Sequence, residues 1–255
     1  MFANSMPVRI TFSLLLLLNS LARTLAVPAP TNTYDKVERG DYKDNSRTWV
    51  GSDYDHGSCS VYSELPLCSS YGICLSPPRK HSKLVAVVLG VGTQNYTCTS
   101  PTQVPTGNGA MATLYDITKS VGLTPDAAHA FSAIVMALST AQNTQNIPLG
   151  LGYPKIGEHH FEPRSGKGAV AVFNLWVKGK QLKFVGGKLE GIPPPPDSFP
   201  GSVDWLKLGR TAGIEKESRG IKFVYRVHTA GGKAPATCEG LRHQHTVNYA
   251  TEYCE

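Results

Sequence analysis

Charged residues are scarce in this 255-residue chain. Asp, Glu, Lys and Arg together make up 17% of it, against 41% hydrophobic residues. That balance excludes an intrinsically disordered protein, because disordered chains combine low hydrophobicity with high net charge. The formal net charge is only +6 and the basic side chains are scattered. Proteins that bind nucleic acids concentrate Lys and Arg on one face, so we predict no nucleic-acid partner.

The sequence also lacks a long apolar run. Residues 10–18 form a short one, centred on five consecutive leucines, and a membrane-spanning helix requires about 20 apolar residues. Arg9 precedes this run, and the small residues Thr24 and Ala26 follow it, in the pattern of a cleaved secretory signal. We therefore predict a signal peptide over residues 1–26, an extracellular protein, and no membrane association after cleavage.

Residues 27–58 have no apolar periodicity. They are polar and contain two prolines and many charges, so we predict a polar, partly disordered leader. A single β-rich domain is predicted over residues 59–255.

The cysteines show no Cys-x-x-Cys spacing, which argues against a zinc ribbon or finger. An even number of cysteines in an exported chain instead predicts three disulfides, with 15 possible connectivities. The six are Cys59, Cys68, Cys74, Cys98, Cys238 and Cys254. Cys68 and Cys74 are close enough to close a local loop. Cys98 and Cys238 each end a strand-like run, so a bond between them would join distant strands.

Several segments alternate between apolar and polar residues and are rich in Val, Tyr, Phe and Trp. The clearest lie at residues 93–98, 173–177, 182–185, 203–208, 221–227 and 247–253, and residues 84–89 form a continuous aliphatic run rich in Val. Period-two segments separated by Gly and Pro are typical of antiparallel strands with one buried face. The predicted fold is mainly β, an antiparallel β-sandwich or partly closed barrel.

One segment follows a helical period instead. Residues 124–126 combine a capping Thr, a Pro and an Asp, and apolar residues follow at positions 131, 134, 135 and 138. This spacing predicts one inserted α-helix near residues 125–139. The prolines at 193–196 predict a surface connection. The glycine pairs at 186–187 and 231–232 predict tight turns with positive φ.

Four segments resemble a family of secreted fungal proteins that share a domain of unknown function, also found in bacteria. They are LVAVVLGVGTQNYTC (84–98), GAMATLYD (109–116), VDWLKL (203–208) and VYRVHTAGGKAPATCEG (224–240). GEHHF (157–161) and VNYATEY (247–253) are similar as well. The resemblance implies export and a compact β-rich domain, and it assigns no catalytic residue. The family typically closes with an aromatic run, whereas this chain has Cys254 and Glu255.

Many fungal members of that family carry the automatic label malate dehydrogenase. Gly90 and Gly92 do follow an apolar strand, as in a dinucleotide-binding turn. The third glycine of such a turn is missing, since position 95 is Asn, and the alternating strands and helices of a doubly wound sheet are missing too. We therefore predict no nicotinamide cofactor and keep malate dehydrogenase as a third hypothesis. The Gly-x-Ser-x-Gly motif of serine hydrolases is also absent.

Three adjacent residues offer metal-ligating atoms: Glu158, His159 and His160. Neighbouring residues of a strand point to opposite faces, so at most one of the two histidines could serve a given site. The favoured interpretation is one core histidine and one surface histidine, with no bound metal.

Trp176, Trp205 and His228 are candidates for a ligand-binding face, because aromatic faces pack against sugar rings as they pack against one another. Each also fits a structural position in its strand. Asn95 begins Asn-Tyr-Thr, the one Asn-x-Ser/Thr triplet. It is either a glycosylation site or an unmodified residue of a paired strand.

These observations favour a secreted, disulfide-stabilised protein without enzymatic activity, binding or structural in role and extracellular or associated with a cell wall. Its partner would be a wall polysaccharide or a small molecule. The alternative is a secreted, metal-assisted enzyme, and the dehydrogenase is the third hypothesis.

Overall fold

The computed structural model describes residues 67, 73–78, 82–123, 129–139 and 146–254. These residues form eight strands: β1 (Val87–Thr97), β2 (Thr106–Asp116), β3 (Lys155–Arg164), β4 (Gly168–Val177), β5 (Lys180–Ile192), β6 (Trp205–Arg210), β7 (Phe223–Gly231) and β8 (Gln244–Cys254). Each strand pairs antiparallel with the next, and β8 pairs with β1 to close a barrel. The mainly antiparallel β prediction is confirmed, in its barrel form. The predicted signal peptide and leader lie outside the described residues.

Strand alternation divides the apolar side chains between the inside and the outside of this barrel. Val88 belongs to a cluster that draws on seven strands, with Ile156 of β3 packed against it, as expected of a barrel interior. Val87, Leu89 and Val91 alternate with it and belong to a second cluster on the outer side.

The connection between β2 and β3 covers part of that outer side. It contains three short helices in the described residues: α1 (Thr118–Leu123), α2 (Phe131–Leu138) and α3 (Ile147–Gly150). Val121 of α1 and Val135 of α2 are fully buried in the outer cluster, and α2 packs on β7 and β8. The predicted helix is confirmed for the part that ends at Leu138, while residues 124–128 lie outside the described residues. No helix in the described parts of the chain is long and apolar enough to cross a membrane.

Both predicted glycine turns are wrong. Gly231 and Gly232 do adopt positive φ, but Gly231 pairs with Tyr249 in β7 and Gly232 forms a bridge to Ser202, so the chain does not turn there. The turn predicted at Gly186 and Gly187 is wrong, because both residues lie within β5. A Cβ at Gly186 would lie 2.2 Å from the carbonyl oxygen of Gly209 on β6. Glycine at position 186 therefore allows β5 and β6 to pair closely, and the chain does not reverse its direction there.

The glycines that resemble a dinucleotide-binding turn have the same explanation. Gly90 and Gly92 lie in the middle of β1, in continuous register with β2 and β8. A Cβ at Gly92 would lie 1.8 Å from the carbonyl oxygen of Met111. This position requires glycine for strand packing, and the chain continues there as a strand and not as a phosphate-binding helix.

A disulfide joins Cys98 and Cys238, whose Cα atoms are 5.5 Å apart. It ties the residue after β1 to the connection between β7 and β8, so the predicted link between distant strands is confirmed. Cys74 is also disulfide-bonded. Cys59 and Cys68 lie outside the described residues.

Candidate functional site

His159 and His160 occupy opposite sides of the barrel wall, as strand alternation predicts. His159 is buried in the barrel, where its ring stacks on Phe173 with centroids 4.0 Å apart. Its Nδ1 donates a hydrogen bond to the carbonyl oxygen of Val172 at 2.9 Å. Burial lowers the pKa of His159 to about 3, although that hydrogen bond acts to raise it, so the ring is neutral above that pH.

His160 lies on the outer side, with its Nε2 2.8 Å from a carboxylate oxygen of Glu162. Glu162 also pairs with Arg164, which in turn pairs with Glu217 at 2.7 Å. Hydrogen bonds from His160 and Arg164 lower the pKa of Glu162. Glu158 is exposed on this same outer side. The three candidate metal ligands therefore do not converge on one point.

The two predicted tryptophans differ in exposure. Trp176 is 58% exposed on β4, whereas Trp205 on β6 is 2% exposed. The Trp205 ring lies 5.1 Å from the ring of His228, between centroids. The structure thus brings Trp205 and His228 together as neighbours in the outer cluster, and Trp176 belongs to a separate surface. Asn95 is half-buried in β1, and its Oδ1 accepts a hydrogen bond from Thr93 at 2.9 Å.

We call the region around the exposed tryptophan the Trp176 surface. It comprises outward-facing residues of three neighbouring strands: Glu158, Asn174, Trp176, Gln181 and Lys183. Trp176 lies opposite Gln181, and Asn174 lies between Glu158 on one side and Lys183 on the other. A large apolar ring is therefore bordered by two amides and by charges of opposite sign.

A pocket of ≈ 170 Å³ adjoins this surface on its basic side. Its lining residues are Gln181, Lys183, Lys216, Glu217, Ser218 and Arg219. Three of them are cationic, and the single carboxylate, Glu217, is already paired with Arg164. The pocket therefore favours an anionic group.

A second group of polar side chains lies between α2 and the barrel wall. His129, His228 and Glu252 each present one ligand-type atom, and these atoms all lie within 4.8 Å of one another. We call these three residues the His129 cluster. His129 Nδ1 is 2.8 Å from a carboxylate oxygen of Glu252, and the two imidazole rings stack with centroids 4.4 Å apart.

The surroundings of the His129 cluster are apolar and fix His228 in place. His228 has φ +45°, at a point where the register between β7 and β8 shifts. Its carbonyl oxygen accepts a hydrogen bond from the buried Ser132 of α2. Burial lowers the pKa of His228 to about 4, with Glu252 acting to raise it and His129 to lower it. The Cys254 thiol lies 3.4 Å from Glu252.

Sequence reasoning missed His129 and Glu252. His129 lies two residues before α2, in the connection between β2 and β3, and nothing in its local sequence marks it as buried. The sequence around Glu252 did contain an indication. Glu252 lies two residues from both Ala250 and Cys254, so the three side chains point to the same face of the strand, and Ala250 and Cys254 are buried. A carboxylate on the buried face of a strand is rare without a partner, and that pattern would have singled it out.

Residues 78–254, more than half of the chain, match the family model described as "Protein of unknown function (DUF3455)". The chain belongs to this family. No curated protein and no solved structure matches it significantly.

Proposed function

We propose that this DUF3455 protein is a secreted, non-enzymatic protein of the extracellular space or cell wall, and that it binds an acidic polysaccharide on the Trp176 surface. The observation that carries the proposal is the 58% exposure of Trp176 among polar side chains. An exposed indole offers a flat apolar face to the C–H side of a sugar ring, and flanking amides suit its hydroxyl groups.

The charge distribution favours an acidic sugar. Lys183 lies on one side of Asn174 and also lines the pocket, together with Lys216 and Arg219. Glu158 lies on the other side of Asn174. A uronate whose ring stacks on Trp176 would direct its carboxylate toward the basic side and away from Glu158.

The proposed absence of enzymatic activity is supported by the separation of the acid–base candidates. His159 is inside the barrel, and His160 and Glu158 are outside it. Asp204 is exposed, and its backbone oxygen accepts a hydrogen bond from Arg226. A general acid and a general base must both reach one substrate, and these four groups do not share a site. His129 and Glu252 do converge, but their side chains are only 15% and 2% exposed.

Binding of the purified protein to polygalacturonate tests the proposal, with neutral β-1,3-glucan as the comparison. We expect binding to polygalacturonate that weakens as salt is added. Trp176→Ala should weaken it roughly tenfold, since stacking of this kind contributes about 1 kcal/mol or more. Lys183→Glu should weaken it further at low salt.

Two matched controls accompany those variants. Leu189→Ala removes an exposed apolar side chain outside the Trp176 surface, and Lys233→Glu reverses an exposed charge on another part of the chain. Both should bind like the unmodified protein. Equal weakening by the controls, or binding to neutral glucan alone, would overturn the proposal.

A further inference from the structure

We propose that the His129 cluster is a binding site for a divalent first-row transition-metal ion, with Zn²⁺ the simplest occupant. His129 and His228 would supply imidazole nitrogens, and Glu252 a carboxylate oxygen. This site is separate from the Trp176 surface and goes beyond the proposed function.

The first argument is convergence. The three ligand-type atoms come from the segment just before α2, from β7 and from β8, yet they lie within 4.8 Å of one another. Zinc bonds of 2.0–2.2 Å in a tetrahedral arrangement place ligand atoms about 3.4 Å apart. The contact of 2.8 Å between His129 and Glu252 shows that these two side chains already approach closely. Metal binding would require the stacked imidazoles to turn until one nitrogen of each points at the ion.

The second argument is an unsatisfied nitrogen. The Nε2 atom of His228 is buried and has no hydrogen-bond partner among the described residues. Leaving a buried polar atom unpaired costs about 1–3 kcal/mol, so such atoms in folded proteins call for a partner. A metal ion bound at the cluster would provide one.

The third argument concerns the buried carboxylate. The side chain of Glu252 is 2% exposed and its partner His129 is 15% exposed. A buried charge is costly unless it is well compensated. The charge of a divalent cation compensates the Glu252 carboxylate more fully than the imidazole of His129 does. That imidazole is also stacked on the His228 imidazole.

The donor set identifies the class of metal. Two imidazoles and one carboxylate suit zinc and the neighbouring transition metals, whereas Ca²⁺ and Mg²⁺ prefer oxygen ligands. The Cys254 thiol beside Glu252 and the ring of Trp205 beside His228 form the surrounding shell. Such neighbours orient ligands and tune affinity.

The test uses the mature protein purified without a polyhistidine tag and stripped with a chelator. Zn²⁺ is added, unbound metal is removed, and bound zinc is measured by elemental analysis. Co²⁺ is added in parallel, and its visible absorption reports the ligand field. We expect about one metal ion per chain. Glu252→Gln and His228→Gln should each lower the affinity by about 10–100-fold or more.

His160→Gln is the matched control. It removes a histidine that lies 2.8 Å from a carboxylate, and no third ligand joins this pair among the described residues. It should bind zinc like the unmodified protein. If His228→Gln does not fold, His129→Gln replaces it, since that side chain is partly exposed. In that case the melting temperature is measured with and without zinc. Added zinc should raise the melting temperature of the unmodified protein and leave that of His129→Gln unchanged. Failure of the unmodified protein to retain zinc, or equal loss in His160→Gln, would overturn the proposal.

Discussion

The His129 imidazole and the Glu252 carboxylate lie 2.8 Å apart although 123 residues separate them in the sequence. This contact fastens the helical connection between β2 and β3 to the last strand of the barrel. It therefore joins two parts of the fold that local sequence preferences alone would not place together.

Glu252→Ala should destabilise the metal-free protein by about 3 kcal/mol, because it removes one partner of a buried pair. Urea denaturation in the presence of a chelator measures the free energy of unfolding. Glu162→Ala removes a carboxylate that pairs at the surface, and it should cost less than about 1 kcal/mol. Similar losses of stability in Glu252→Ala and Glu162→Ala would contradict the conclusion that Glu252 belongs to a buried pair and Glu162 to a surface one.

His159 makes stability depend on pH. Its pKa falls from the ordinary 6.5 to about 3 on folding because the ring is buried, so the unfolded chain binds the proton more tightly. The stabilisation is complete above about pH 6.5 and is lost as the pH falls toward 3.

We therefore expect the free energy of unfolding of the unmodified protein to drop between pH 7 and pH 4 by roughly 3 kcal/mol more than that of His159→Gln. His228 titrates in both proteins, so its contribution cancels in this difference. Parallel pH profiles for the unmodified protein and His159→Gln would refute the prediction.

Gly92→Ala should prevent β1 and β2 from pairing in their present register, because its Cβ would lie 1.8 Å from a backbone oxygen of Met111. We expect a loss of stability of several kcal/mol or no folded protein. Gly107→Ala in β2 is the control, since the nearest atom to its Cβ would be 3.9 Å away. Circular dichroism and thermal melting of both variants give the comparison.

Removal of the Cys98–Cys238 disulfide should destabilise the domain by about 5 kcal/mol, because the bond closes a loop with a sequence separation of 140. The double variant Cys98→Ser/Cys238→Ser avoids leaving one unpaired thiol. Its guanidinium denaturation midpoint, compared with that of the oxidised protein, measures the effect. An unchanged midpoint would show that the bond constrains little of the unfolded chain.

Secretion stays a prediction from the sequence. Expression of the full chain should release it into the medium, and the N-terminal residue of the secreted protein should be Val27. Replacing the five leucines at 14–18 with polar residues should retain the chain in the cell, because the apolar part of the signal is then lost. Equal release of both chains would contradict the predicted signal peptide.

The strands predicted best from the sequence are those with the clearest alternation, at residues 203–208 and 221–227. Large apolar side chains mark these strands because Leu208 and Val224 lie in the interior cluster, while Trp205 and Tyr225 lie in the outer one. β1 was predicted as two separate strands because its glycines resemble the end of a strand. In the barrel, Gly92 lies within β1, and its lack of a side chain leaves room for the backbone of β2. β2 was not predicted as a strand, since two of the three side chains that it turns into the interior cluster, Ala110 and Ala112, are small. Small residues give little β-propensity signal.

The candidate sites were less predictable for a different reason. Trp176 could be named as a candidate but its exposure depends on which face of β4 the neighbouring segments cover. His228 was named without its partners, because His129 and Glu252 reach it only through tertiary packing. Propensity and periodicity describe single elements, and these sites depend on contacts between elements.

The pairing of β1 with β8, from Val87 with Cys254 to Thr97 with Gln244, has a consequence for the order of events during synthesis. The first strand of the barrel, β1, cannot acquire its second neighbour until residues 244–254 have been made. Until then an edge of the growing sheet stays open to other chains, and the contacts that close it span almost the whole domain, which slows folding. A polypeptide that passes through a translocation channel before it folds would close its barrel only after residues 244–254 have arrived. The incomplete sheet would then not be exposed to other chains inside the cell.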